Sequence, residues 1–83
     1  MQARVTVTLK TGVLDPRGKA IEGALRSLGL SGFEHVRQGK LFDIELGAAD
    51  PAQARAALTA ACEQLLANTV IEDYRIELDG QPA

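Results

Sequence analysis

A faultless apolar–polar alternation over Ala3–Lys10 breaks at a glycine- and proline-rich stretch, and that stretch opens directly onto a helical period. The alternation puts Ala3, Val5, Val7 and Leu9 on one face of a half-buried strand and sends Arg4, Thr6 and Thr8 to the other. The connector Lys10-Thr11-Gly12-Val13-Leu14-Asp15-Pro16-Arg17-Gly18-Lys19 then constrains everything downstream. Asp15 before Pro16 predicts a helix start. The carboxylate accepts orphan amide protons, and the proline ring presets φ where no amide proton is needed. Gly12 and Gly18 allow backbone angles or close approaches that a Cβ would hinder. A turn and a cap account for Gly12, Asp15 and Pro16. They leave Lys10, Lys19 and the exposed-looking pair Val13-Leu14 without a structural reason.

The helix expected from about Pro16 or Arg17 to Leu28 carries Ile21, Ala24, Leu25 and Leu28 as one apolar stripe. Gly29 suits its left-handed end. Glu22 and Arg26 make an i,i+4 pair on the wet face, and Gly23 weakens the helix by about 1 kcal/mol relative to alanine. Gly32–Leu46 predicts a hairpin, with Phe33–Arg37 and Lys40–Leu46 as arms and a left-handed Gly39 in the Gln38-Gly39 turn. A single bent strand with a bulge at Gly39 is the competing expectation. Phe42, Ile44 and Leu46 share the core face, and Leu41 takes the opposite one. Asp50-Pro51 repeats the cap signature, and Gln53 completes a capping-box spacing. That helix is expected to run to about Ala67, with Ala54, Leu58, Ala61 and Leu65 as its stripe, Leu66 beside it, and Asn68 as a left-handed terminus. After a hook at Val70-Ile71, Tyr74, Ile76 and Leu78 alternate in a last strand. The order β-α-β-β-α-β predicts an α+β two-layer sandwich, an antiparallel sheet with two helices on one face. It forms a single domain over residues 1–79, followed by a flexible tail over 80–83.

With 83 residues, 46% of them hydrophobic but only 4% aromatic, the core must be small and aliphatic. A lone domain of this size is only marginally stable, so association through the sheet into a dimer or tetramer is expected. The formal charge of −2 offers no basic field for nucleic acid, and no apolar run is long enough to span a bilayer. One cysteine and no secretory pattern indicate a reducing, cytoplasmic setting.

Groups for catalysis are few. His35 is the only histidine, on a hairpin arm, and Cys62 sits in an alanine-rich helix where it packs as a small apolar residue. Ser27 and Ser31 bracket a helix end, Glu72-Asp73 fits a solvated turn, and no metal site is indicated. The stretch Gly12–Lys19 lacks the glycines and the following Ser or Thr of a phosphate loop. What remains is a set of loop-end cations, Lys10, Arg17, Lys19, Arg37 and Lys40, suited to a phosphate or an acidic partner surface.

Val7-Thr8-Leu9-Lys10 leading into Gly12-Val13-Leu14-Asp15-Pro16-x-Gly18-Lys19-Ala20, then Ala24-Leu25 and Leu28-Gly29, resembles the PurS family, the small subunit of phosphoribosylformylglycinamidine (FGAM) synthase. Val36-Arg37-x-Gly39-Lys40, Cys62-Glu63-x-Leu65-Leu66-Ala67-Asn68 and Val70-Ile71-Glu72-Asp73-Tyr74 extend the likeness over nearly the whole chain. Thr69 departs from a common proline and Arg17 from a usual glutamine, and the first of these should loosen the helix-to-strand corner slightly. The resemblance implies an accessory subunit of a glutamine-dependent carbon–nitrogen ligase in de novo purine synthesis, not catalytic in isolation. The complex turns formylglycinamide ribonucleotide, ATP and glutamine into formylglycinamidine ribonucleotide, ADP, phosphate and glutamate. It implies a homodimer or tetramer that bridges a glutaminase subunit and a large synthetase subunit and supports ammonia transfer. ATP and Mg belong to the large subunit, with no cofactor on this chain.

On that reading Lys10, Val13, Leu14, Asp15, Arg17 and Lys19 are one candidate subunit contact, and Arg37 and Lys40 a second. Gly12, Pro16, Gly18, Gly39, Asp50 and Asn68 carry turns and caps. The competing class is an amino-acid-sensing regulatory module of similar α+β fold, with its ligand loop at Gly12–Gly18.

Overall fold

The computed structural model describes residues 1–47 and 50–83. Its elements are β1 (Gln2–Leu9), α1 (Pro16–Ser27), β2 (Lys40–Glu45), α2 (Pro51–Ala61) continued by a π-helical turn (Cys62–Leu66), β3 (Glu72–Leu78) and β4 (Gln81–Pro82). The strands form one antiparallel sheet in the order β2-β1-β3-β4. The α+β architecture, an antiparallel sheet with two helices, is as expected.

β1 lies at the centre of the core because its alternation is complete. Ala3, Val5 and Val7 are buried, and Val5 stands opposite Phe42 on β2 and Ile76 on β3. On the outer face Arg4 stands between Asp43 and Glu77, and its Nε donates to the Asp43 carboxylate at 3.0 Å. This row of opposite charges helps to hold the register, since a one-residue slip would turn Val5 and Val7 into solvent.

α2 covers the apolar face with Ala54, Leu58 and Cys62, all buried. Asp50 and Pro51 start the helix as expected, but no side-chain cap forms; only the Asp50 carbonyl is engaged, by the Ala54 amide at 2.9 Å. The helix then widens: the Ala67 amide reaches back five residues to the Cys62 carbonyl at 3.1 Å. The extra residue rotates the last turn, leaving Leu65 81% exposed and delivering Ala67 to the core instead. Asn68 does not take the left-handed conformation expected of it, since Asp79 is the only described non-glycine residue with positive φ. Its side-chain oxygen accepts from the Val70 amide at 3.2 Å, and its carbonyl accepts from Ile71 and Glu72. The corner is therefore closed by Asn68 on both sides of Thr69.

Two further differences concern strands. Only the second arm of the expected 32–46 hairpin exists, and residues 30–39 belong to no strand. The fourth strand comes instead from the C-terminus. Asp79 and Gly80 both have positive φ, 47° and 82°, as a two-residue hairpin loop requires, and Gln81–Pro82 folds back on Glu77–Leu78. Proline is tolerated there because β4 is an edge.

α1 ends as its sequence predicts. Gly29, at φ 77°, donates to Arg26 and Leu30 donates to Leu25, the paired bonds of a Schellman motif. Its apolar stripe does not join the core, however. Gly18 and Glu22 are its buried residues, and Ile21, Ala24 and Leu28 face solvent. The molecule is correspondingly long, 49 × 25 × 15 Å, with a radius of gyration of 15.9 Å, against about 12 Å for a compact chain of this length.

The core assignment predicts that Leu58→Ala lowers unfolding stability by about 2–5 kcal/mol, whereas Leu65→Ala stays within about 0.5 kcal/mol. Urea denaturation of the two variants checks this; equal losses would contradict the π-turn register.

Candidate functional site

The loop after β1, the first turn of α1 and the segment 35–40 come together at one end of the sheet. Val13 donates to the Lys10 carbonyl at 3.1 Å, and Gly12 supplies positive φ at 90°, closing the turn. Leu14 is left 70% exposed at its tip and Val13 half-buried. Asp15 caps α1 as predicted, its Oδ1 accepting from the Gly18 amide at 2.9 Å. The same carboxylate does something the sequence reading missed: Oδ2 accepts from the Gln38 amide at 2.8 Å.

Glu22, one face of the helix further on, accepts from the Val36 amide at 3.0 Å through Oε2 and meets Lys19 Nζ at 3.5 Å through Oε1. It is only 6% exposed, buried by the segment it holds. These bonds are why 33–37 is not a strand: the amides of Val36 and Gln38 go to carboxylates, not to a ladder. Gly18 and Gly39 serve this approach. A Cβ on Gly18 would stand 2.1 Å from the Val36 carbonyl oxygen, and one on Gly39 2.6 Å from that of Val7. Gly39 is therefore needed for proximity and has no positive φ, unlike the hairpin glycine expected.

The loop-end cations are mostly occupied. Lys10 Nζ pairs with Asp73 at 2.8 Å, Lys40 approaches Glu72 at 4.0 Å, Lys19 is held by Glu22, and an Arg37 Nη donates to the Leu9 carbonyl. Arg17 lies beside Asp15, Lys40 and Glu72 in a shallow concavity floored by Val7 and Leu9. All five cations remain on the surface. The Lys10–Asp73 pair, exposed on both sides, is worth only about 0–1 kcal/mol, so a partner can exchange it at little cost.

Reactive groups are not assembled here. Cys62 lies in the core, where burial pushes its thiol up, away from the nucleophilic thiolate. His35 is exposed beside Glu22. Among the described residues, no group of three or more His, Cys, Asp and Glu is placed to hold a metal ion.

Residues 2–80 match the family model for PurS, phosphoribosylformylglycinamidine (FGAM) synthase. The chain belongs to the PurS family. The PurS subunit of phosphoribosylformylglycinamidine synthase from Synechocystis is 48% identical over 75 residues, covering 90% of this chain and 75% of the relative. The crystal structure of Methanocaldococcus jannaschii PurS, one of the subunits of formylglycinamide ribonucleotide amidotransferase in the purine biosynthetic pathway, superposes with a TM-score of 0.83. Its identity is 37%, over 92% of either chain. A chain of the PurLQS structure from Thermotoga maritima superposes at 0.84 and 33% identity, over 92% of this chain and 93% of that one. The resemblance read from Val7–Ala20, Val36–Lys40 and Cys62–Tyr74 is thus a family relationship. The two connections that come together at this end of the PurS fold, 10–19 and 35–40, carry the first and second of those motifs.

The carboxylate bonds make this end of the molecule acid-sensitive. The Gly18 and then the Gln38 amides hold the Asp15 carboxyl below the usual carboxylate range, aided by the nearby Arg37 guanidinium. The Val36 amide, with Lys19 and His35 facing it, does the same for Glu22. Both groups ionise more readily folded than unfolded, so their stabilisation is present at neutral pH. It is lost as pH falls below about 4 and through the folded values. The Val36 and Gln38 amide resonances should shift together over that acid range, while the β1 and β3 amides hold their positions; coincident loss of all four would contradict a local acid-sensitive tie.

Proposed function

We propose that this chain is the small, non-catalytic subunit of FGAM synthase, joining a glutaminase subunit to the ATP-dependent synthetase subunit so that ammonia from glutamine reaches formylglycinamide ribonucleotide. The observation that carries this is the PurS match over residues 2–80, and the fold agrees in kind. The chain presents engaged surface cations and an exposed apolar loop tip, features of a docking module, and keeps its only thiol inside. Val13, Leu14, Arg17 and Lys19, with Lys10 and Asp15 behind them, form the first contact on this reading; Arg37 and Lys40 form the second. Among the described residues, no helix is long and apolar enough to cross a membrane. A purine-pathway subunit works in the cytoplasm with its nucleotide substrate.

A second copy of the chain belongs to the same reading. The stripe of α1, exposed at Ile21 and 74% exposed at Leu28, continues into exposed Leu30 and Phe33. Phe42 and Ile44 on β2, and Leu46 just after it, face the core side but are only partly buried. The α1 of one copy laid over the β2 side of the other sheet covers both surfaces, and the two-fold relation satisfies both copies at once. Burying that area supplies the stability an 83-residue monomer lacks.

Sedimentation of the chain alone, and mixed with its synthetase and glutaminase subunits, tests both parts. The free chain should sediment at a multiple of its 8.8 kDa mass and enter the complex. Leu28→Asp should yield a folded monomer. Arg37→Glu with Lys40→Glu should weaken entry into the complex at least tenfold, with circular dichroism unchanged. A wild-type monomer, or a complex indifferent to the charge reversal, would contradict the corresponding contact.

A further inference from the structure

Capping α1 uses one oxygen of Asp15. The other reaches 23 residues along the chain to the Gln38 amide. Glu22 holds Val36 two positions earlier, so Arg37 lies between two clamped amides and its guanidinium is carried to the Leu9 carbonyl at the end of β1. Val13, Leu14 and Arg37 line one shared concavity as a result. A helix start needs none of this.

We propose that Asp15 is a positioning residue: its second oxygen holds segment 36–38 against the β1–α1 loop, so that Arg37, Val13 and Leu14 meet a partner subunit as one preorganised surface. The proposal rests on the docking role above but gives Asp15 work inside the chain, where a partner contact would have it face outward. Preorganisation enters affinity through the fraction of molecules in the competent arrangement, so loosening the segment weakens binding by the factor by which that fraction falls.

Asp15→Asn separates the two oxygens. Asparagine remains a good N-cap, its single carbonyl oxygen accepting from Gly18, but its NH2 then meets the Gln38 N–H donor to donor. The complementary change replaces the Gln38 amide by an ester in a chemically synthesised chain, removing the donor and leaving the carboxylate. Hydrogen exchange of the isolated chain, and its binding to the synthetase and glutaminase subunits supplied together, are measured for each change and for both together. Asp15→Asn should speed exchange at Gln38 and leave Gly18 and the β1 and β3 amides protected. Either change should weaken subunit binding about tenfold, as expected for losing a hydrogen bond to a charged group, and the two together should do no more. Unchanged exchange at Gln38 in Asp15→Asn, faster exchange with unaltered binding, or additive losses would overturn the proposal. A wild-type chain that binds neither subunit would instead refute the docking role on which it rests.

Discussion

The sheet has one apolar face, and a single helix covers it. α2 and its π-turn occupy the ground above β1 and β3 with Ala54, Leu58, Cys62 and Ala67, leaving the β2 side half open, and α1 does not join that core. The rest of the architecture follows from that shortage. α1 stands clear of the core, its apolar stripe exposed, and must be fixed by polar means.

Those means are carboxylates on backbone amides. Asp15 and Glu22 take up the donors of residues 36 and 38, which a strand would otherwise have used in a ladder. Charge-assisted bonds of this type are stronger than neutral ones and aim the segment as well as holding it. Local and subunit-level organisation are thereby linked. The residues that tie the arm together adjoin Val13, Leu14 and Arg37, and the arm also bears the apolar surface offered to a second copy. A buried thiol and surface cations at the ends of elements suit the proposed role of placing other subunits.

Much of this was legible in the residues. The period-two patterns of Ala3–Lys10 and Tyr74–Leu78 need no partner to be read, and neither does the start or end of α1, because proline, aspartate and glycine act locally there. Motifs spread from Val7 to Tyr74 identified the family. What could not be read was non-local or subtle. Phe33–Arg37 has strand-like composition, but Asp15 and Glu22, many residues away, claim its amides. A π-turn carries no sequence mark, so Leu65 stood in the core stripe where Ala67 belongs. Asn68 builds a turn with its side chain, although its residue type equally fits a left-handed helix end. The Asp79-Gly80 pair was a missed signal of a kind that is readable: it is a strong hairpin loop, obscured because only Gln81-Pro82 follows it. The eight candidate contact residues proved to be neighbours at one end of the sheet, yet sequence could not tell which cations are already paired or that Asp15 faces inward.

The proposed role of this chain is to couple a glutaminase to a synthetase. The most direct measurement is FGAM formation by those two subunits with and without the chain, supplied in parallel with glutamine or with ammonia. Adding the chain should restore the glutamine-dependent rate and leave the ammonia-dependent rate near its starting value. Indifference of the glutamine-dependent rate to the chain would contradict it.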